Sequence, residues 1–223
     1  MPAALLLLAD SRLPTGGHAH SWGVEEAASR GRVHDVASLR AFALGRLRTA
    51  GLTDAALSAA AAFAADTEAD WRGLDAEAEA RTASPALRAV SRRSGRQLVR
   101  AGRAIWPHPT IDAVAGAHAD GPHQAVAFGV VAHAAGVSAA DAALASAHLA
   151  VAAVCTAAVR LLGLDPYAVH ATAAAFAPAI EDVAAEALAA AVGPWPDLPC
   201  PAPVAAELGA ERHATWEVKL FAS

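Results

Sequence analysis

The sequence predicts an all-α fold, a single-domain bundle of about ten helices, on three observations. Alanine supplies 66 of the 223 residues, while aromatics are 5% and isoleucine occurs three times. Alanine is the best helix former, and sheets are built from the β-branched and aromatic residues this composition lacks. Apolar residues recur at three- and four-residue spacing behind capping residues, and glycine or proline falls between the runs. With 55% hydrophobic residues the chain can bury a core without staples, so residues 1–223 read as one domain. A β-sandwich or β-barrel is excluded.

The elements follow in order. Residues 3–9 form a first helix, and residues 10–20, with Pro14, Gly16 and Gly17, form a loop. Ser21 reads as an N-cap for a helix over 22–30, with Glu25 and Glu26 in its early turns, where carboxylates favour the positive helix end. Asp35 caps a third helix in which Val36, Leu39, Ala43 and Leu47 share a face, and Gly51 closes it. Asp54 opens an alanine-rich fourth helix reaching about Ala65, and residues 70–81 read as a more exposed fifth.

Ser84 followed by Pro85 is a strong start signal, because proline in the first turn forfeits no needed hydrogen bond. The helix over 85–105 carries Leu87, Val90, Ser94, Leu98, Ala101 and Ile105 on one side. Arg88, Arg92, Arg96, Arg100 and Arg103 form a stripe on another. Residues 106–109 break it. Helices over 111–117 and 123–135 follow, and Ser138 with Asp141 is a capping box for a long helix to Leu162, stopped by Gly163. Asp165 with Pro166 starts another, predicted to run through about Val192. Residues 193–203 hold five prolines and read as a linker that places a docking helix and tail over 204–223. No repeat of fixed period is present.

A net charge of −5 argues against nucleic-acid binding by bulk electrostatics. Cys155 and Cys200 are 45 residues apart, with no CxxC pair, so neither a disulfide framework nor a cysteine zinc site is suggested; a reducing, cytoplasmic setting fits. The apolar run Leu5 to Leu8 has no basic residue before it, so no signal peptide is read. The segment 142–164 carries Ser146, His148, Thr156 and Arg160 and reads as a buried helix rather than a membrane span.

Candidate chemistry is sparse. His18 and His20, one residue apart on a glycine-rich loop, are weak metal candidates, since a transition-metal site needs three or four ligands. There is no HExxH, no P-loop, no GxGxxG and no GxSxG, and Cys155 lies in an apolar run where a thiol behaves as a small hydrophobe. No active site is read and the chain is not expected to be an enzyme. The arginine stripe is either a solvated face or a docking surface for an acidic partner, with Arg92 and Arg96 at its centre. Trp216, Val218, Leu220 and Phe221, close to the last residue, suggest docking onto the domain or a partner.

The run Asp10-Ser11-Arg12-Leu13-Pro14-Thr15-Gly16-Gly17-His18-Ala19-His20-Ser21-Trp22-Gly23-Val24-Glu25 resembles the N-terminal signature of the UreF family of urease accessory proteins. Further blocks resemble the family in the same order: Arg81-Thr82-Ala83-Ser84-Pro85, Ser91 with Ser94-Gly95-Arg96, Ala157-Ala158-Val159-Arg160-Leu161, and Arg212-His213 with Leu220-Phe221-Ala222-Ser223. The resemblance implies an all-α, non-catalytic homodimer that binds a UreD/UreH-type accessory protein. The pair would associate with apo-urease and recruit the nickel-carrying GTPase UreG. No cofactor is implied; the competing reading is a metallochaperone carrying nickel directly through His18 and His20. The implied partner contacts are Arg12, His20, Trp22 and Glu25 on the loop, and Arg212, His213, Leu220, Phe221 and Ser223 on the tail. Two departures stand out: Ala222 replaces an arginine before the final serine, and His18-Ala19 replaces an aromatic after Gly17.

Overall fold

A computed structural model describes residues 3–10, 13, 20–67 and 69–221. Among them every regular element is helical: α1 (Ala3–Leu8), α2 (Val24–Ser29), α3 (Val36–Arg46), α4 (Leu52–Ala64), α5 (Trp71–Ala80) and α6 (Pro85–Ile105), then α7 (Pro109–Ala115), α8 (Gln124–Ala134), α9 (Ala139–Leu162), α10 (Pro166–Ala174), α11 (Ala177–Ala191) and α12 (Val204–Ala214). The capping signals mark their starts. Asp35 accepts from the Ser38 amide, Ser84 from Leu87, Ser138 from Asp141, and Asp165 from Tyr167 and Ala168. Gly163 ends α9 at φ 61°, a conformation that glycine adopts without a Cβ penalty.

Helix α4 is the centre of the bundle, packed by α8, α9 and α11, while α6 covers α8 and α12 lies on α6 and α2. Ten of the thirteen α4 residues are buried, most of them alanine. Side chains this short let backbones come close: a Cβ at Gly129 of α8 would stand 2.1 Å from the Ser58 carbonyl oxygen of α4. Helix α9 is long and apolar enough to cross a membrane, yet it packs on α4, α11 and α3, and eleven of its residues are buried as core.

Several boundaries differ from the sequence reading. Gly51 does not close α3; a π-helical segment, Leu47–Gly51, carries the chain straight into α4. The glycine serves packing instead, since a Cβ there would lie 3.2 Å from the Ala150 Cβ of α9. Asp54 accordingly sits in the first turn of a continuing helix and is not its cap. The helix expected over 166–192 is two, because Pro178, in the first turn of α11, has no N–H to continue a helix from α10. Phe176 is buried at the joint. Pro109 starts α7 two residues early, and α5 is half buried through Trp71, Leu74, Asp75 and Ala78.

The proline-rich segment 193–203 is a strap pinned to the body. Arg81 donates to the carbonyls of Trp195, Pro196 and Leu198, the Thr53 hydroxyl donates to Pro199, and Leu198 is buried. From it α12 reaches the start of α6. Glu211 accepts from the Ser84 hydroxyl and, at 2.9 Å, from the Ala86 amide, and Glu207 accepts from the Ala83 amide at 2.8 Å.

Candidate functional site

The entry to α2 is a left-handed turn, Trp22 at φ 54° and Gly23 at φ 90°. Gly23 adopts it freely, whereas a bulky residue such as Trp22 does so only when its surroundings hold it. Helix α2 is therefore shorter than the sequence reading, and Ser21 stands outside it, its hydroxyl accepting from the Glu25 amide at 3.4 Å. Both Glu25 and Glu26 are buried, and each is spoken for by the far end of the chain.

Glu25 accepts from the Leu220 amide at 2.8 Å, from the Phe221 amide at 3.1 Å and from Nε2 of His213 at 2.8 Å. Glu26 accepts from Nη2 of Arg212 at 2.8 Å, from Nε of Arg30 at 2.7 Å and from Arg32. Burial alone would raise the Glu26 pKa, but these guanidinium groups outweigh it and hold the carboxyl below its usual range. His213 is buried and packs against Trp216, ring centroids 4.7 Å apart and planes tilted by 51°. The described parts of the two segments read from sequence as partner contacts thus meet at Glu25 and Glu26.

Beneath this latch lies a cavity of about 430 Å³, walled in part by Leu8, His20, Trp22, Arg46, Arg160 and Phe221. The Arg160 guanidinium lies 4.8 Å from the Phe221 ring centroid, and that of Arg46 lies 4.8 Å from Trp22. Phe221 is 6% exposed, whereas its neighbour Leu220 is 75% and Val218 84% exposed. Leu220 and Phe221, paired in the sequence reading, face opposite ways. Leu6 and Leu7, next to the cavity-lining Leu8, are also exposed.

His20 is buried, with Nε2 3.4 Å from the Ser94 hydroxyl and its ring 5.5 Å from that of Trp22. His18, Arg12 and Ser223 lie outside the described residues. Among the described residues no group of three or more His, Cys, Asp or Glu side chains could hold a metal ion. Burial pushes the Cys155 thiol up to about 11.

The arginine stripe is not a continuous row of open charges. Arg92 is 8% exposed, bonded to Asp75 at 2.9 Å, Glu79 at 2.6 Å and the Gly121 carbonyl at 2.7 Å. Arg88 pairs with Glu79 and Arg103 with Asp112. For Arg88 and Arg92 the reason is α5, whose Asp75 and Glu79, four residues apart on one helix face, meet that side of α6, while the partner of Arg103 lies on α7. Arg96 and Arg100 stay exposed, Arg96 donating to the Asp120 carbonyl. His123 completes the network: its amide donates to Asp75, Nε2 lies 2.7 Å from Glu79, and Nδ1 lies 3.0 Å from the Ser91 hydroxyl.

Residues 33–177 match the model of the UreF family. The urease accessory protein UreF of Mycolicibacterium vanbaalenii is 45% identical over 221 residues, covering 99% of this chain and 98% of that protein. UreF of Mycobacterium marinum is 44% identical over 221 residues, with the same coverage. UreF of Mycobacterium tuberculosis is 40% identical over 187 residues, 84% of this chain and 85% of the relative. With the family matched over more than half the chain and relatives of this identity along nearly its full length, the chain belongs to the UreF family of urease accessory proteins.

Proposed function

We propose that this protein is a non-catalytic adaptor in urease maturation. It bridges a UreD/UreH-type accessory protein and the nickel-carrying UreG-type GTPase on apo-urease, and it regulates the GTPase. It works as a homodimer in the cytoplasm. Family membership supports the maturation role; the division of labour is our reading. Regulation of this kind requires the adaptor to bind one nucleotide or metal state of the GTPase more tightly than another.

The observation that carries the reading is the latch at Glu25, which joins α2 to the tail and leaves Leu220 and Val218 exposed. Exposed apolar side chains held on an ordered backbone are suitable anchors for a protein partner. Leu220 is the direct contact, and the family resemblance adds Arg12, Trp22 and Ser223 to the contact set. Glu25, Arg212, His213, His20 and Phe221 shape the surface from below, and Arg96 belongs to a second contact whose geometry Arg92 fixes.

The test is urease made in a heterologous host with its full accessory set, with and without this chain. Enzyme activity and bound nickel are expected to collapse on omission. If both are unchanged, the maturation role fails for this protein.

A further inference from the structure

The arginines of α6 divide into two sets. Arg88 and Arg92 meet the carboxylates of α5, and Arg103 meets Asp112 of α7, so those charges are answered inside the chain. Arg93, Arg96 and Arg100 are exposed, and among the described residues no carboxylate pairs with any of them. Their spacing of three and four residues sets them one turn apart in a row about 10 Å long, and the exposed Gln97 and Ala104 complete that face. A chain of net charge −5 thus keeps three adjacent positive charges uncompensated in one place.

The middle of the row is held in position. Nη1 of Arg96 donates to the Asp120 carbonyl, and its stem lies over Gly121, at φ 80°, where a Cβ would run into the Arg96 Cγ. Arg92 fixes the same turn from the buried side, donating to the Gly121 carbonyl at 2.7 Å. Gly95 lets the turn sit against the helix, since a Cβ there would strike the Pro122 carbonyl oxygen. A carbonyl satisfies one donor of Arg96 without neutralising its charge, and the guanidinium has further N–H groups to offer. A side chain already held loses less freedom on binding.

We infer that this face of α6 receives an acidic segment of a protein partner, one carboxylate to each of Arg93, Arg96 and Arg100. The guanidinium groups stand in a row and do not converge on one small anion. The row is also short, with the exposed Asp112 and Asp120 beside it, which would repel a phosphate backbone running on past it. Carboxylates one turn apart on a partner helix match the spacing, and each can accept two parallel bonds from a guanidinium. The inference rests on the adaptor reading above and deepens its contact at Arg96: Arg93 and Arg100 join it, and Arg92 stays internal.

The experiment uses the full chain with purified UreD-type protein, UreG-type GTPase and apo-urease. A photoreactive benzoylphenylalanine in place of Gln97 is expected to cross-link to one of these proteins, at a segment rich in Asp and Glu that mass spectrometry identifies. Arg93→Glu, Arg96→Glu and Arg100→Glu together are expected to weaken the Kd for that protein about tenfold or more at low salt and to flatten its salt dependence. Arg40→Glu with Arg48→Glu, exposed elsewhere on the chain, is expected to leave the Kd near the parent value. If circular dichroism shows the triple variant unfolded, Arg93→Glu with Arg100→Glu, which keeps Arg96 seated, makes the same comparison. The inference is overturned by a cross-link to no other protein or to a segment without acidic residues, and equally by an unchanged Kd. An equal loss in the Arg40 and Arg48 variant overturns it too, because net charge alone would then explain the effect, and so does a salt-sensitive complex with a DNA duplex in place of the protein contact. If urease activation proceeds without the chain while the cross-link and charge sensitivity hold, the adaptor reading fails and this surface stands. If activation needs the chain but the reversed row binds normally, this surface fails and the adaptor reading stands.

Discussion

Two carboxylates in this fold are displaced in opposite directions, and each displacement has a measurable consequence. Asp54, walled into the cavity, is pushed up to about 6 by burial, with Arg46 pulling it back only in part. Its folded pKa is above the unfolded value, so the native state holds the proton more tightly and stability falls as pH rises from about 4 to about 6. Carbon-13 NMR of the Asp54 carboxyl is expected to show a midpoint near 6, moving higher in Arg46→Met. A midpoint in the ordinary aspartate range would refute this. Glu79 runs the other way: burial raises it, but the hydrogen bonds and charges of His123 and Arg92 outweigh burial and bring it to about 2. His123 is itself held below the usual imidazole range by burial, so at neutral pH the standing charges beside Glu79 are the guanidinium groups of Arg92 and Arg88. The stabilisation from Glu79 is present above about 4.5 and lost as pH falls through about 2. Glu79→Gln should flatten that part of the acid limb in denaturant titrations, and an unaltered limb would count against it.

At the level of elements, helix starts were legible where a side chain does the capping, and Asp35, Ser84, Ser138 and Asp165 each mark the helix they cap. They were illegible where a residue serves two ends. Gly51 reads as a stop but fits a close approach to α9, and Pro178, inside the single helix expected through about Val192, stands in the first turn of a new one. Ser84→Ala should cost about 1 kcal/mol of unfolding free energy, the usual worth of such a cap. It also removes a hydroxyl donor to Glu211, so exchange in α12 should rise with it. Slow exchange in α12 of the variant would show that α12 is held elsewhere. On α6 the exposed Arg96 is the stripe residue to test. Arg96→Glu is expected to weaken partner binding at low salt and less at high salt, where screening shortens the reach of surface charge. Equal affinity at both would remove the stripe from the docking surface. The site was legible in part for the same kind of reason. Glu25, His213 and Phe221 were identifiable by resemblance, but two of the groups Glu25 serves are backbone amides, which carry no mark in a sequence.

For the molecule as a whole, an alanine-built core means that stability is set by distances between backbones more than by the bulk of side chains. Where α4 and α8 cross at Gly129 the backbones leave no room for growth. Gly129→Ala would drive a methyl group against the Ser58 carbonyl and should destabilise the fold by about 1 to 3 kcal/mol or more, the cost of an overpacked core. A midpoint of denaturation equal to that of the parent would mean α4 and α8 can separate freely. The latch bears on this scale as well. The contact from Phe221 to Glu25 spans 196 residues, and a closure that long gains nothing until the helices between have assembled. It is therefore among the last contacts to form as the chain is made and folds. A partner that recognises the latched tail takes hold of finished molecules, and an incomplete chain offers it no handle.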